Sequence, residues 1–303
     1  MLKLKNEFST LKFLQSKNNC DNIILGEIMR KNWLFNKTVV ITGASGGLGF
    51  AISKLLIEKY NCKIIGIARN EKKLLSAIDT LGDKKSYFSY RIFDVSIQKN
   101  WQDFLSYLTE QNINIDVLIN NAGFMLPFAK FEKISDEEIT EIINTNLIAT
   151  ITSIKTLLPL LKQSKTPAII NISSAAGLCA VVGQSMYCAT KFAVKGLTET
   201  LQQEYKKQIY VGGIYPGFIK TDILNRQSVN DKENALIEKL MMPLRKASKR
   251  IVKRISKRKK RTVMGFDGQS MNVFGRLFPR LTPSIITSVL KSAKLELFED
   301  VFN

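Results

Sequence analysis

From Lys37 onward, short apolar runs alternate with amphipathic stretches, and this alternation constrains the fold more than any other feature. The runs are Thr38–Thr42, Lys63–Ala68, Tyr90–Phe93, Val117–Asn120, Ala168–Ile172 and Tyr210–Ile214. They are rich in Val and Ile and lack polar alternation, which suits strands buried on both faces. Between them apolar residues recur at helical spacing, as in Phe50, Ile52, Leu55 and Leu56, or Phe104, Leu105 and Leu108. Strand alternating with helix implies right-handed βαβ units. The expected architecture is α/β, a doubly wound parallel sheet in three layers with helices on both faces. Thr262–Phe266 reads as a last short strand.

The chain has 303 residues, enough for one such domain of roughly 250 residues with short extensions. It contains no histidine. That absence removes Ser-His-Asp and Cys-His nucleophile systems and most zinc hydrolase sites. Acid/base chemistry near neutral pH is left to a carboxylate, Cys, Lys or Tyr of shifted pKa. The four cysteines, Cys20, Cys62, Cys179 and Cys188, lie far apart with no CxxC pair, which argues against a metal site and suits a reducing, cytoplasmic setting. No apolar run reaches the length of a membrane span, and lysines and Glu7 interrupt the N-terminus before a signal-like stretch develops.

Val39 to Gly49 reads as a strand, a glycine turn and a helix start. A sharp bend off the strand favours Gly43. Close approach of a pyrophosphate requires missing side chains at Gly46 or Gly47. The helix start offers free N–H groups and a positive dipole end, and Gly49 lets the helix pack closely. The spacing is G-x-x-x-G-x-G, so a plain strand–helix connection remains the alternative. After the second run, Ala68 is neutral and Arg69 cationic, where an NAD enzyme usually places Asp or Glu. That favours the extra phosphate of NADP, the alternative being a surface arginine. Asp94 and Val95, ending the third run, are candidates for the adenine edge or an ordinary strand end.

Tyr187 and Lys191 stand four apart at the head of a helical stretch, so they share one face. A nearby ammonium favours the phenolate and lowers the tyrosine pKa from about 10, which is how a chain without histidine can move a proton at neutral pH. Thirteen residues before Tyr187, a strand ends in Ser173 and Ser174. Ser174 is placed to donate a hydrogen bond to a substrate carbonyl oxygen as charge develops there. Asn120, Asn121, Ala122 and Gly123 end another strand at the same edge, with small residues that permit close cofactor approach.

Taken together, TGASGGLG, NNAG, NTNL, ISSAAG, YCATK and YPGFIKT, in this order and spacing, resemble the short-chain dehydrogenases/reductases, in their compact single-domain branch. The resemblance covers about residues 37–225. It implies a Rossmann-type fold and hydride transfer between a carbonyl and an alcohol with NADP(H), NAD(H) being the alternative cofactor and no metal being needed. It implies Tyr187 as general acid/base, Lys191 to lower its pKa and hold the nicotinamide ribose, and Ser174 to orient substrate. Asn146 then holds a water in the proton relay. Pro216, Gly217 and Thr221 flank the nicotinamide. Gly43, Ser45, Gly46, Gly47, Leu48, Gly49, Arg69, Asp94, Val95, Asn121, Ala122 and Gly123 fall at cofactor positions, with Gly46 where many members carry Ser.

The expected organisation is an extension over 1–36, a catalytic domain over 37–266 with a substrate lid and basic helix at 223–261, and an amphipathic extension over 267–303. The net charge is +19, and basic residues dominate from Lys239 to Arg261. Leu244, Ile251, Val252 and Ile255 form one stripe of a basic amphipathic helix there, suited to packing on the sheet or lying on an anionic membrane. The apolar tail from Met271 to Leu290 suits a pocket cap, a subunit contact or a membrane contact. The expected protein is a homodimer or homotetramer acting on a lipophilic carbonyl or alcohol of fatty acyl, retinoid or steroid-like kind. The competing readings are an idle nucleotide sensor and a membrane or nucleic-acid binder, single-stranded targets being disfavoured by the lack of aromatics in the basic run.

Overall fold

A computed structural model describes residues 32–220, 241–292 and 296–302. Among them, seven strands form one parallel sheet: β1 (Thr38–Thr42), β2 (Lys63–Ala68), β3 (Phe88–Ile92), β4 (Val117–Asn120), β5 (Ala168–Ile172), β6 (Tyr210–Pro216) and β7 (Arg261–Met264). The order is β3-β2-β1-β4-β5-β6-β7. The helices are α1 (Gly47–Tyr60), α2 (Glu71–Asp79), α3 (Gln98–Glu110), α4 (Asp136–Ile143), α5 (Ala149–Leu161), α6 (Ser185–Glu204), α7 (Leu244–Ser256), α8 (Phe266–Leu277), α9 (Leu281–Ser292) and α10 (Glu299–Phe302). This is the doubly wound, three-layer fold expected from the alternation.

Successive strand residues point to opposite faces, and here both faces are apolar. Val39, Ile41, Val117, Ile119 and Ile170 join a core under α1, α2 and α7. Val40, Ile65, Ile67, Leu118 and Ile169 join a second core under α3, α5 and α6. Three strands differ from their sequence limits. β3 begins at Phe88, because polar Ser89 sits within it and donates to Ile64 O at 3.1 Å. β6 continues through Tyr215 and Pro216. β7 stops at Met264, because Gly265 turns to φ +88 and opens α8.

Helix α7 packs against α1, with Ala247, Ile251, Val252 and Ile255 buried. Its apolar stripe thus faces the core and leaves its lysines and arginines outside, so this segment offers a membrane charge and no apolar face. Among the described residues no helix is long and apolar enough to cross a membrane.

Both the segment before β1 and the last described residues join the packing. Leu34 is wholly buried, its carbonyl accepts from Cys62 Sγ at 3.2 Å, and the Trp33 indole donates to Ser256 O at 3.1 Å. At the other end Phe298 meets Phe128 edge-on at 4.8 Å, and Lys133 pairs with Asp300. Replacing Leu34 with Ala is expected to cost about 2–5 kcal/mol of stability, the usual loss for a fully buried leucine. Urea unfolding measures this, and an unchanged midpoint would show that the segment before β1 contributes nothing to the core.

Candidate active site

The strand order reverses between β1 and β4, so the connections leave in opposite directions and a crevice opens at the carboxyl ends. A cavity of about 520 Å³ lies there. One end is the glycine turn. Gly43 adopts φ +66, in the left-handed region that only glycine enters freely. A Cβ on Gly49 would fall 2.2 Å from Gly43 O and 2.7 Å from Asn121 Nδ2, so the first turn of α1 presses directly on the bend. Gly43, Ser45, Gly46, Gly47 and Leu48 all line the cavity; Gly49 sits beneath it. The start of α1 has neither a side-chain cap nor an acidic residue in its first turn. Its N–H groups and positive dipole end are therefore left for an anion, and no side chain from Gly43, Gly46 or Gly47 fills the space. The site fits a dinucleotide pyrophosphate.

Arg69 reaches the cavity from the end of β2, and its Nη1 lies 3.6 Å from Asp94 Oδ2. Burial alone would raise the Asp94 pKa, but hydrogen bonds from Ser96 and the Arg69 guanidinium hold it below the usual range. Arg69 and Asp94 also line a neighbouring cavity of about 440 Å³. Val95 lines neither cavity. It is buried in the core, and its carbonyl accepts from the Trp101 indole at 2.8 Å.

At the end of β4, Asn121, Ala122 and Gly123 line the cavity as expected. The Asn121 side chain, however, faces the scaffold, donating to Thr42 O at 2.9 Å. Asn146 is buried behind the cavity wall, in a π-helical turn (Asn144–Ile148) between α4 and α5. Such turns recur at functional sites. Its Oδ1 accepts from Phe124 N and its Nδ2 donates to Phe124 O, both at 2.9 Å. A Cβ on Gly123 would lie 2.9 Å from that Oδ1 and 3.3 Å from Lys191 Nζ. Gly123 thus lets Asn146 and Lys191 close on the strand end.

The other end of the cavity holds Ser174, Tyr187 and Lys191. Ser174 follows β5 in extended conformation and accepts from Ala176 N at 3.1 Å. Tyr187 and Lys191 lie one turn apart on α6 and share a face, with Nζ 5.6 Å from the phenol ring centre. Lys191 Nζ donates to Ile172 O at 3.3 Å, and Ser173 Oγ donates to Lys191 O at 2.8 Å. Burial pushes Tyr187 up to about 12, against a hydrogen bond from Ser174 that favours the phenolate. Burial also pulls Lys191 down to about 8. The expected lowering of the tyrosine pKa by Lys191 is therefore corrected: burial is the largest influence on Tyr187, and the shift is upward. Pro216 and Gly217 line the cavity beyond, where the Asp267 carboxylate accepts from Phe218 N at 2.6 Å. Thr221 and residues 223–240 of the expected lid lie outside the described residues.

Several residues at the site carried no sequence signal of their own. Thr42 Oγ1 accepts from Asn121 N and Ala122 N, both at 2.9 Å, and bolts β1 to β4. Gln184 lines the cavity, and its Nε2 donates to Leu126 O at 2.9 Å. Lys73 and Asp267 also line it. Thr42 lies inside the glycine motif and could have been found there; the others depend on long-range packing.

A doubly wound sheet with an anion cradle at one end of its crevice and a buried phenol, hydroxyl and ammonium at the other defines a class of dinucleotide-dependent oxidoreductases. The family model for short chain dehydrogenase matches residues 37–233, and the chain belongs to that family. It is 38% identical over 205 residues to 3-oxoacyl-(acyl-carrier-protein) reductase FabG of Chlamydia trachomatis, covering 65% of this chain and 79% of that one. The closed form of serine dehydrogenase complexed with NADP+ is 27% identical, with TM-score 0.63 over 71% of this chain and 87% of that one. A short-chain dehydrogenase from Streptomyces avermitilis is 22% identical, with TM-score 0.69 over 84% of this chain and 97% of that one, a likeness of fold. The protein is an NAD(P)(H)-binding oxidoreductase acting on the CH–OH/C=O pair, in a family whose members act on small molecules and are typically oligomeric.

The Lys191 pKa sets a pH test. Its folded value, about 8, lies below its ordinary 10.5. Its contribution to stability is therefore fully present above about 10.5 and lost as pH falls to about 8. Lys191→Met is expected to gain on wild type over that interval by about 3 kcal/mol, at about 1.4 kcal/mol per pKa unit, and to keep a constant lead below it. Parallel urea unfolding of both proteins from pH 7 to 10.5 checks this; a pH-independent difference would mean that the lysine is not desolvated.

Proposed function

We propose that the chain is an NADP(H)-dependent carbonyl reductase or alcohol dehydrogenase for an apolar substrate, with Tyr187 as its general acid/base. The observation that carries this reading is the convergence of the Tyr187 phenol, the Ser174 hydroxyl and the Lys191 ammonium in a cavity whose far end is an uncapped helix start. When bound, the cofactor supplies or accepts the hydride. Ser174 donates a hydrogen bond to the substrate oxygen and aligns it with the phenol. In reduction Tyr187 gives its proton to that oxygen; in oxidation it takes the proton back. With a pKa near 12, the free protein holds Tyr187 as the acid, the form that reduction needs. Lys191 carries the nearest positive charge and stabilises the phenolate that forms. Asn146, anchored to the Phe124 backbone, holds the inner wall beside Lys191 and belongs to the path that returns a proton to Tyr187.

Arg69 supports NADP(H) over NAD(H). It stands at the strand end beside the adenosine half of the crevice, and the serine dehydrogenase relative was captured with NADP+. Phe124, Met125, Phe128, Val181 and Met271 wall the other half, which supports a lipophilic substrate; the Chlamydia relative reduces a 3-oxoacyl group. Leu277, Leu281, Ile285 and Val289 form an outward stripe along α8 and α9. That stripe, in a family of oligomers, supports a contact between copies of this chain.

Fluorescence titration with NADPH and NADH, on wild type and Tyr187→Phe, tests the reading. Tight NADPH binding by both proteins is expected, together with a kcat loss of about 10²–10⁴-fold on a carbonyl panel for the variant alone. Arg69→Ala is expected to lower kcat/KM with NADPH about tenfold more than with NADH, the effect of losing one charge-assisted contact. Equal activity in Tyr187→Phe would end the acid/base assignment, and a wild-type preference for NADH would end the cofactor assignment.

A further inference from the structure

We infer that Phe298 is a positioning residue for the substrate wall: by standing behind Phe128 it sets the length of apolar chain that the cavity accepts. The inference rests on the reading of a lipophilic substrate above and names the residue that limits it. Phe298 immediately precedes α10 and does not itself line the cavity. Phe128 does line it, and the two rings meet edge-on with their centres 4.8 Å apart. Phe298 is only 5% exposed, so it forms a second, dry layer behind that wall. Both rings belong to one buried cluster with Met125, Ala176 and Tyr187. The segment that carries Phe298 lies outside residues 37–233, the part of the chain that the family model matches.

Further contacts fix this segment against the loop after β4. Lys130 N donates to Asp300 O at 3.4 Å, and the Lys133 ammonium pairs with the Asp300 carboxylate. Ala129 N donates to Gly183 O at 3.1 Å, which joins the same loop to the turn before α6. Gly183 has φ +75, and a Cβ there would lie 2.5 Å from Val301 Cγ2 and 3.2 Å from Phe128 Cδ1. The missing side chain at 183 is thus what lets Phe128 and the end of the chain meet at one point. A ring packed on this side has no room to swing back from an incoming chain, because interiors are close-packed. Truncating Phe298 opens that room, and an apolar space of this kind stays dry and takes up apolar groups. The wall then yields to a longer substrate, while the glycine turn and Arg69 at the other end of the cavity keep their contacts.

The test is reduction of straight-chain methyl ketones, from butanone to dodecanone, by the full-length protein with NADPH, in wild type, Phe298→Ala and Phe298→Leu. Wild-type kcat/KM is expected to rise with chain length and to fall past a limit. Phe298→Ala is expected to move that limit to longer chains, with a gain in kcat/KM of about tenfold for the first ketone beyond it, the discrimination that one methylene makes in an apolar pocket. The gain is expected in KM, with kcat for butanone and the affinity for NADPH unchanged. Phe298→Leu, which keeps most of the packing, is expected to shift the limit less and in the same direction. If the variants that bind NADPH keep the wild-type length profile, the role of Phe298 is overturned and the lipophilic reading stands. If neither variant binds NADPH, the segment supports the fold and does not limit the substrate, and the inference is again overturned. If wild type reduces none of the ketones, or all of them alike, the lipophilic reading itself falls, and this inference with it.

Discussion

The rest of the site depends on the junction between the carboxyl ends of β1 and β4. Here the sheet changes direction, and without a lateral tie the two strand ends would be free to separate. Thr42 supplies the tie by accepting two consecutive backbone N–H groups through one hydroxyl, while Asn121 returns its amide to the Thr42 carbonyl. The same amide sits where a Cβ on Gly49 would intrude. Bend, helix start and neighbouring strand therefore share one small volume, and each is glycine, hydroxyl or amide because nothing larger fits. The cradle for an anion is the by-product of that close packing: with glycine at 43, 46 and 47 and no cap on α1, the helix N–H groups are left without side-chain partners.

A second polar system holds the catalytic half in place. Asn120 and Asn171 are register partners on β4 and β5, joined at 2.9 Å. Ser153 of α5 donates to Asn120 at 2.7 Å, and Asn171 donates to Thr198 of α6 at 2.9 Å. All four side chains are buried. A fully satisfied buried chain of this kind specifies one arrangement, because any slip leaves a donor or acceptor without a partner in a dry interior. It ties β5, which leads into Ser174, to α6, which carries Tyr187 and Lys191. The Ser173 to Lys191 bond and the Lys191 to Ile172 bond repeat the tie one layer higher. The relative placement of hydroxyl, phenol and ammonium is thus set by the scaffold before any ligand arrives.

How much of this was legible in the sequence depends on the range of the interactions involved. The strands were, because burial on both faces leaves an uninterrupted Val and Ile signature; four of the seven match their expected limits residue for residue. The Tyr187–Lys191 pairing was, because helical spacing is a local property. The Tyr187 pKa was not, since it is set mainly by burial among residues distant in sequence. The Val95 side chain turns into the core, which its strand-end position in the sequence does not reveal. Lys73 was missed among the cavity residues for the converse reason: one lysine among many has no signature until a glycine from another element is seen beneath it.

The charge distribution shows why the net figure of +19 is a poor guide to the site. Arg245, Lys246, Lys249, Arg250, Lys253 and Arg254 stand exposed on α7, whose apolar face is packed on α1, and none of them lines the cavity. At the site a few groups decide. The glycine end combines an uncapped helix start with Arg69, so it favours phosphate. The opposite end is dry: burial there lifts Tyr187 and depresses Lys191, and Phe124, Met125 and Phe128 form its wall. A ligand with a charged end and a neutral end has one low-energy direction in such a cavity, because reversing it would strip water from its phosphates with nothing to replace that water. Orientation therefore follows from the contrast between the two ends, and the phenol stands at the neutral one.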